Sequence, residues 1–129
     1  MTQDIQDAYE DAKDAHPGAD VDNCTTSTSL DDTDCGAALT AAGKVAADTE
    51  RRLRRKDPEY ADELYSAVFL TTSAVQGDLE RLRHPIPCYG LSDEPQPPPP
   101  LRTEAESICA EAADIFKIEY RIFLSTVEP

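Results

Sequence analysis

The helical character of this chain is clearest in residues 30–56, which read LDDTDCGAALTAAGKVAADTERRLRRK. Apolar residues recur there every three or four positions, which predicts a helix with one buried face. Acids occupy the first turns and five cations crowd the last turn, and both placements suit the helix dipole. The expected inward positions are Ala38, Leu39, Ala42, Val45, Ala46, Thr49 and Leu53.

A second helix is expected directly after this one, running to about Arg83. Asp57 and Pro58 suit the N-cap and the first position of a helix. Because the joint is so short, residues 30–83 are predicted to form an antiparallel helical hairpin. The expected inward positions of the second helix are Tyr60, Leu64, Ala67, Val68, Thr71, Val75, Leu79 and Leu82.

Three further segments surround this hairpin. Residues 1–16 predict a short helix with a thin, alanine-rich apolar face. Residues 17–29 form an acidic, polar loop. Residues 84–102 hold seven of the ten prolines, which predicts a polyproline-like crossover loop.

The C-terminal helix, residues 103–128, combines a helical pattern with a strand-like one. Residues 116–124 alternate apolar and charged side chains as strands do, but they continue a helical run and lack a partner strand. Thr103 and Glu106 predict a capping box at the start. The expected core positions are Ala105, Ile108, Cys109, Ala112, Ile115, Phe116 and Ile122. The outward positions Ile118, Tyr120 and Leu124 predict a surface for a homodimer.

The four cysteines are Cys24, Cys35, Cys88 and Cys109, and none belongs to a C-x-x-C motif. Pairing in sequence order is the most economical arrangement, because each bridge would fasten a loop to the start of a helix. Each bridge would stabilise the fold by roughly 3 kcal/mol. Reduced thiols and metal ligation are the alternatives. Two disulfides would indicate an oxidising, extracytoplasmic compartment.

Together these features predict an all-α protein with a single helical domain, residues 1–129. Its architecture would be a disulfide-stapled antiparallel bundle of three long helices, one short N-terminal helix and a proline-rich crossover. The opening residues, Met1–Asp7, are neither basic nor apolar and do not resemble a secretion signal. Either the protein is cytoplasmic, or a signal was trimmed and Met1 is not native. No apolar stretch approaches the roughly 20 residues of a membrane span, so we expect no membrane insertion.

The net charge of −14, from 26 acids and 12 bases, argues against nucleic-acid binding, which needs clustered cations. The first 50 residues hold 12 of the acids and only 2 bases. Such a negative field can steer a basic protein partner. The residues that we expect to interact are the acidic Asp20, Asp22, Asp31, Asp32 and Asp34 and the basic Arg51, Arg52, Arg54 and Arg55.

Catalytic signatures are lacking in the sequence. His16 and His84 each precede a proline, and neither belongs to the Glu-x-x-His pairs of di-iron bundles. The acid clusters do not have calcium-loop spacing, and there is no nucleophile elbow or phosphate-binding loop. We therefore expect no catalytic residue, metal site or cofactor, and a protein that is not an enzyme.

Two functions fit these observations. The first is a small extracytoplasmic helical module that binds a partner, most simply a protein. The second is an intracellular acidic inhibitor, resembling an immunity protein, an antitoxin or a nucleic-acid mimic, that neutralises a basic partner. The redox state of the cysteines separates the two.

Overall fold

A computed structural model describes residues 2–25, 28–84, 86–92 and 95–128, and the regular elements in those residues are all helical. The predicted all-α class is therefore confirmed. None of the described helices combines the length and the apolar character needed to cross a lipid bilayer. The α-helices are α1 (Thr2–Ala15), α2 (Thr33–Lys56), α3 (Ala61–Leu64), α4 (Ser66–Arg81) and α5 (Arg102–Val127).

The connecting segments contain three short 3-10 turns, at Val21–Asn23, Cys88–Gly90 and Pro99–Leu101. The predicted crossover, residues 84–102, is therefore not one continuous polyproline segment. Parts of the predicted N-terminal helix, loops and C-terminal helix lie outside the described residues, namely Met1, Thr26, Ser27, Pro85, Asp93, Glu94 and Pro129.

Helix α2 packs against both α1 and α4, and α4 packs against α5. Every predicted inward position of α2 is buried. The helix begins at Thr33, three residues later than the sequence predicts. The Asp32 carboxylate accepts backbone hydrogen bonds from Asp34 and Cys35 at 3.0 and 3.1 Å, which satisfies two unpaired donors of the first turn.

The second helix of the predicted hairpin is interrupted at Tyr65, whose backbone leaves the helical region. Its buried side chain donates a hydrogen bond to the carboxylate of Asp57, and Asp57 ends α2 instead of starting the next helix. The interruption rotates the positions of the helix relative to the core, so the predicted core residues Tyr60, Leu64 and Ala67 are exposed. Burial of Tyr65 thus outweighs the N-cap preference of Asp57 and Pro58.

Helix α5 buries a different face from the predicted one. Ile108, Ile115 and Ile122 are about half exposed, at 52%, 47% and 46%. The core instead receives a line of mainly aromatic and small residues: Ala105, Cys109, Ala113, Phe116, Tyr120, Phe123 and Val127. Tyr120, which we predicted on the outward surface, stacks on Phe116 and Phe123. Large rings bury more apolar area than isoleucine, which favours this orientation.

The predicted capping box of α5 is absent. The 3-10 turn Pro99–Leu101 continues directly into the helix, so Leu101 occupies the N-cap without a side-chain hydrogen bond. Thr103 and Glu106 consequently lie within the helix, on its exposed surface.

The cysteines form two disulfides, Cys24–Cys35 and Cys88–Cys109, which is the sequential pairing predicted from the sequence. Each fastens a connecting segment to a helix: the first ties the loop after α1 to α2, and the second ties the segment after α4 to α5. No described cysteine is free.

Candidate functional site

An open groove of about 610 Å³ lies where three distant parts of the chain meet. The end of α1 forms one wall, the N-terminal half of α2 forms the floor, and the segment after α4 forms the other wall. Protein sites for small molecules commonly span about 300–1,000 Å³. The lining residues are Ala15, His16, Pro17, Thr33, Gly36, Ala37, Thr40, Ala41, Lys44, Arg83, Tyr89, Gly90 and Leu91.

The floor of the groove depends on Gly36, a buried glycine in the second turn of α2. A Cβ atom built on Gly36 would lie closer than 3.0 Å to the backbone carbonyl oxygen of Tyr89. Glycine therefore allows the segment after α4 to rest directly on α2. The small side chains of Ala37 and Ala41 leave space in the groove beside Gly36.

The wall opposite α1 is held in place by three connections. The Tyr89 N–H donates to the Leu30 carbonyl at 3.0 Å, and the Cys88 N–H donates to the Leu82 carbonyl at 2.9 Å. The disulfide of Cys88 adds a covalent link to α5. Tyr89 has a left-handed backbone (φ 54°), as does the following Gly90 (φ 71°), and the turn that they form closes the groove.

His16 stands at the end of α1 and is positioned by Asp48. Its Nε2 atom lies 3.5 Å from Oδ2 of Asp48, which is only 6% exposed. Burial alone would raise the pKa of Asp48, but hydrogen bonds from Arg52 and Arg51 outweigh it and the pKa is lowered. Asp48 is therefore a charged anchor behind the groove, shared among His16 and these two arginines.

The groove is basic although the protein is strongly acidic. Its basic lining residues are His16, Lys44 and Arg83, and none of the carboxylates that the structure describes lines it. Lys44 is exposed and makes no ion pair with any described residue. Arg83 forms an ion pair with Glu80 at 4.0 Å. A concave surface lined by charge of one sign focuses the local potential.

The groove offers binding chemistry. Lys44 and Arg83 can donate charge-assisted hydrogen bonds, and the hydroxyls of Thr33 and Thr40 add neutral donors and acceptors. The alanines and Leu91 provide apolar contacts. Among the described residues, no cluster of three or more His, Cys, Asp or Glu could hold a metal ion.

The acidic residues predicted to interact do not form one site. Asp32 caps α2, as described above. Asp22 pairs with Arg121 at 3.2 Å, and Asp31 pairs with Arg102, so both fasten loop segments to the last helix and its start. Asp20 and Asp34 are exposed. Two of the five acids are thus already engaged by cations of this same chain.

The basic residues at the end of α2 are also largely engaged within the molecule. Arg51 and Arg52 both contact Asp48. Arg54 pairs with Glu50 and with Asp62 at 3.0 and 2.8 Å, and its guanidinium lies 4.1 Å from the ring centre of Phe69. Arg55 is exposed. Arg51 and Arg52 therefore support Asp48 within α2, and Arg54 ties the end of α2 to α3 and α4.

Sequence reasoning missed the groove residues Gly36, Lys44, Arg83 and Tyr89, and interpreted His16 as a polar helix end. One signal was present: Lys44 is the single charge in residues 35–47, CGAALTAAGKVAA. No family model, curated protein or solved structure matches this chain.

Proposed function

We propose that the protein is a small extracytoplasmic binding module, an antiparallel helical bundle that holds a small organic anion in the groove. Residues 57–65, which include the short helix α3, connect α2 to α4, and the packing of these two helices against each other supports the antiparallel arrangement. The ligand class is an apolar or aromatic group carrying a carboxylate, because the groove combines alanine and leucine surface with cations.

The extracytoplasmic location is supported by the two disulfides, which persist in oxidising compartments. The bridge at Cys88 also fixes a wall of the groove. A reducing environment would therefore act on the proposed binding site as well as on the stability of the fold.

The observation that carries the proposal is the sign of the charge in the groove. In a chain with 26 acids and 12 bases, a groove lined by a lysine, an arginine, a histidine and none of the described carboxylates departs markedly from the overall charge of the protein. Lys44 has no partner of its own among the described residues, so an incoming anion displaces no existing ion pair there. A charge-assisted hydrogen bond contributes about 1.5–3 kcal/mol. Two such bonds together contribute about 3–6 kcal/mol, which corresponds to a Kd between about 40 µM and several millimolar.

The experiment is an NMR titration of isotope-labelled protein with benzoate, octanoate and inorganic phosphate as probes. We expect benzoate or octanoate to shift the amide signals of Gly36, Thr40, Lys44 and Gly90. Lys44→Gln and Arg83→Gln should each weaken binding about tenfold, or about 1.4 kcal/mol. Arg55→Gln is the matched control, since it removes one exposed cation outside the groove. Equal effects of Lys44→Gln and Arg55→Gln, or no localised shifts with any probe, would exclude the proposal.

The intracellular acidic inhibitor remains the alternative. Its support is the excess of acids in the first 50 residues, although Asp22 and Asp31 are paired with arginines of the same chain. Alkylation of protein from its native host, with and without reduction, separates the two. Four thiols that label without reduction would favour the inhibitor, whereas no labelling before reduction supports the extracytoplasmic module.

A further inference from the structure

Helix α5 presents a line of isoleucines to solvent. Ile108, Ile115 and Ile122 are seven residues apart, which is two helical turns, so they lie along one side of the helix. Ile118, at 55% exposure, lies beside this line. Four large apolar side chains within fifteen residues form a continuous ridge, unlike the scattered exposed apolar residues that any surface has.

Helix α4 lies beside this ridge and presents small residues. Residues 64–77 contain no charged side chain, in a chain in which 29% of residues are charged. Ala67, Leu70, Ala74 and Gly77 follow the alternating three- and four-residue spacing of a helix–helix seam, and Leu70 is 74% exposed. A Cβ atom built on Gly77 would meet nothing within 4 Å, so this part of the surface is open.

The ridge and the small-residue surface form one face. Asp78 and Arg81 of α4 line a small hollow together with Ala112 and Ile115 of α5, which places the two helices side by side here. Glu119 of α5 also lies near enough to Asp78 to contribute to the raised pKa of that carboxyl. We call this surface the α4/α5 face.

We propose that the α4/α5 face docks on the same face of a second copy of the chain, forming a twofold symmetric dimer. In such an interface residue i meets residue j and residue j meets residue i, so a single face must carry both the projecting and the receiving parts. The isoleucines of α5 supply the projections, and the alanines and glycine of α4 supply the shallow receiving surface.

Charge favours a second copy over a basic partner protein. A strongly basic partner would be drawn to the first 50 residues, where the acids concentrate, and away from the uncharged surface of α4. Two copies that each carry −14 repel one another, and they approach most closely where the surface is neutral. The α4 part of the face offers such a surface, whereas the α5 part also carries the acids Glu111 and Glu119.

The size of the face sets the expected affinity. Sixteen residues of α4 span about 24 Å, and two helices side by side are about 20 Å wide. Each copy would bury about 500 Å², or about 1,000 Å² in total, which is near the lower limit of specific interfaces. The dimer should therefore be reversible, with a Kd in the micromolar range.

Sedimentation velocity over a range of protein concentrations, at low salt and at about 0.5 M salt, tests the proposal. We expect a concentration-dependent dimer that strengthens with salt, because salt screens the repulsion between two −14 chains. The double variant I115S/I118S should weaken dimerisation at least about 100-fold, since every substitution occurs twice in the dimer. Y60S is the control, because Tyr60 is 58% exposed and precedes the helices of this face.

Circular dichroism and thiol labelling show whether each variant keeps its helices and disulfides, as exposed positions should allow. A protein that stays monomeric at all concentrations overturns the proposal. So does a dimer that I115S/I118S leaves unchanged, or one that salt weakens. The groove is formed by α1, α2 and the segment after α4, and neither substituted isoleucine lines it, so benzoate binding to I115S/I118S tests the proposed function separately.

Discussion

At Gly36, substitution by alanine has opposite expected effects on stability through packing and through helix propensity. In an exposed helix interior, Gly→Ala stabilises a protein by about 1 kcal/mol because alanine restricts the unfolded chain. At Gly36 the new Cβ would overlap the backbone carbonyl of Tyr89, which cannot rotate away as a side chain could. We therefore expect Gly36→Ala to destabilise the protein despite its better helix propensity.

The magnitude follows from the contacts of Tyr89. Forcing a close-packed segment apart costs about 1–3 kcal/mol, and the hydrogen bond from the Tyr89 N–H to the Leu30 carbonyl contributes about 1 kcal/mol more. The propensity gain of about 1 kcal/mol offsets part of this loss. The net decrease in the free energy of unfolding should be about 2 kcal/mol, which lowers Tm by about 6–10 °C in a domain of this size.

The assay is chemical and thermal denaturation, with Gly77→Ala as the matched control. Gly77 also lies inside a helix, but a Cβ there would meet nothing within 4 Å. The control should raise the free energy of unfolding by about 1 kcal/mol, so the two variants are expected to differ in sign. Measurements belong at low protein concentration, because Gly77 lies on the α4/α5 face.

A second readout is benzoate binding, which Gly36→Ala should weaken because the wall of the groove moves. If Gly36→Ala proves as stable as Gly77→Ala, the segment around Tyr89 does not rest on α2. The floor of the groove would then be wrong, and the proposed site with it.

Two further predictions concern Asp78 and the second disulfide. Asp78 is 4% exposed with an unpartnered Oδ2 atom, and burial, assisted by Glu119, raises its pKa. A raised carboxyl pKa gives stability that is full below the unfolded value of about 3.9 and is lost as pH rises through the folded pKa. Asp78→Asn should therefore raise the free energy of unfolding by about 1 kcal/mol at pH 7 and leave it unchanged near about pH 3. Denaturant titrations at the two pH values measure this gain. An equal gain at both pH values would contradict this reasoning. Replacing Cys88 and Cys109 together by alanine should lower the free energy of unfolding by about 3 kcal/mol in the same titrations and weaken benzoate binding; unchanged binding would mean that this wall holds its position without the bridge.

The fold class and the disulfide pairing could be predicted from the sequence because both depend on local pattern. The apolar period of α2 is unambiguous, and its predicted inward positions are all buried. Helix α5 was harder to predict because it has two apolar stripes, one ending in Ile122 and the other in Val127. Periodicity finds both stripes, and only packing against the neighbouring helices decides which one faces the core.

The interruption at Tyr65 and the groove depend on contacts between distant residues. The hydroxyl of Tyr65 reaches Asp57 and lies 3.5 Å from the carboxylate of Asp4, a residue 61 positions away. The groove likewise joins His16, Lys44 and Arg83, which belong to three separate segments. No pattern within one segment predicts such a meeting.

The two disulfide loops contact one another, which makes one end of the molecule more rigid than the other. Leu30 and Asp31 lie within the loop closed by Cys24–Cys35, and they contact Tyr89 and Arg102 within the loop closed by Cys88–Cys109. This end of α2 is consequently one covalently reinforced frame. The far end, about 36 Å away along the helix, is held by polar contacts such as that between Tyr65 and Asp57. Local unfolding should therefore start at that far end and decrease in amplitude toward the frame. The groove then keeps its shape while the opposite end of the bundle opens.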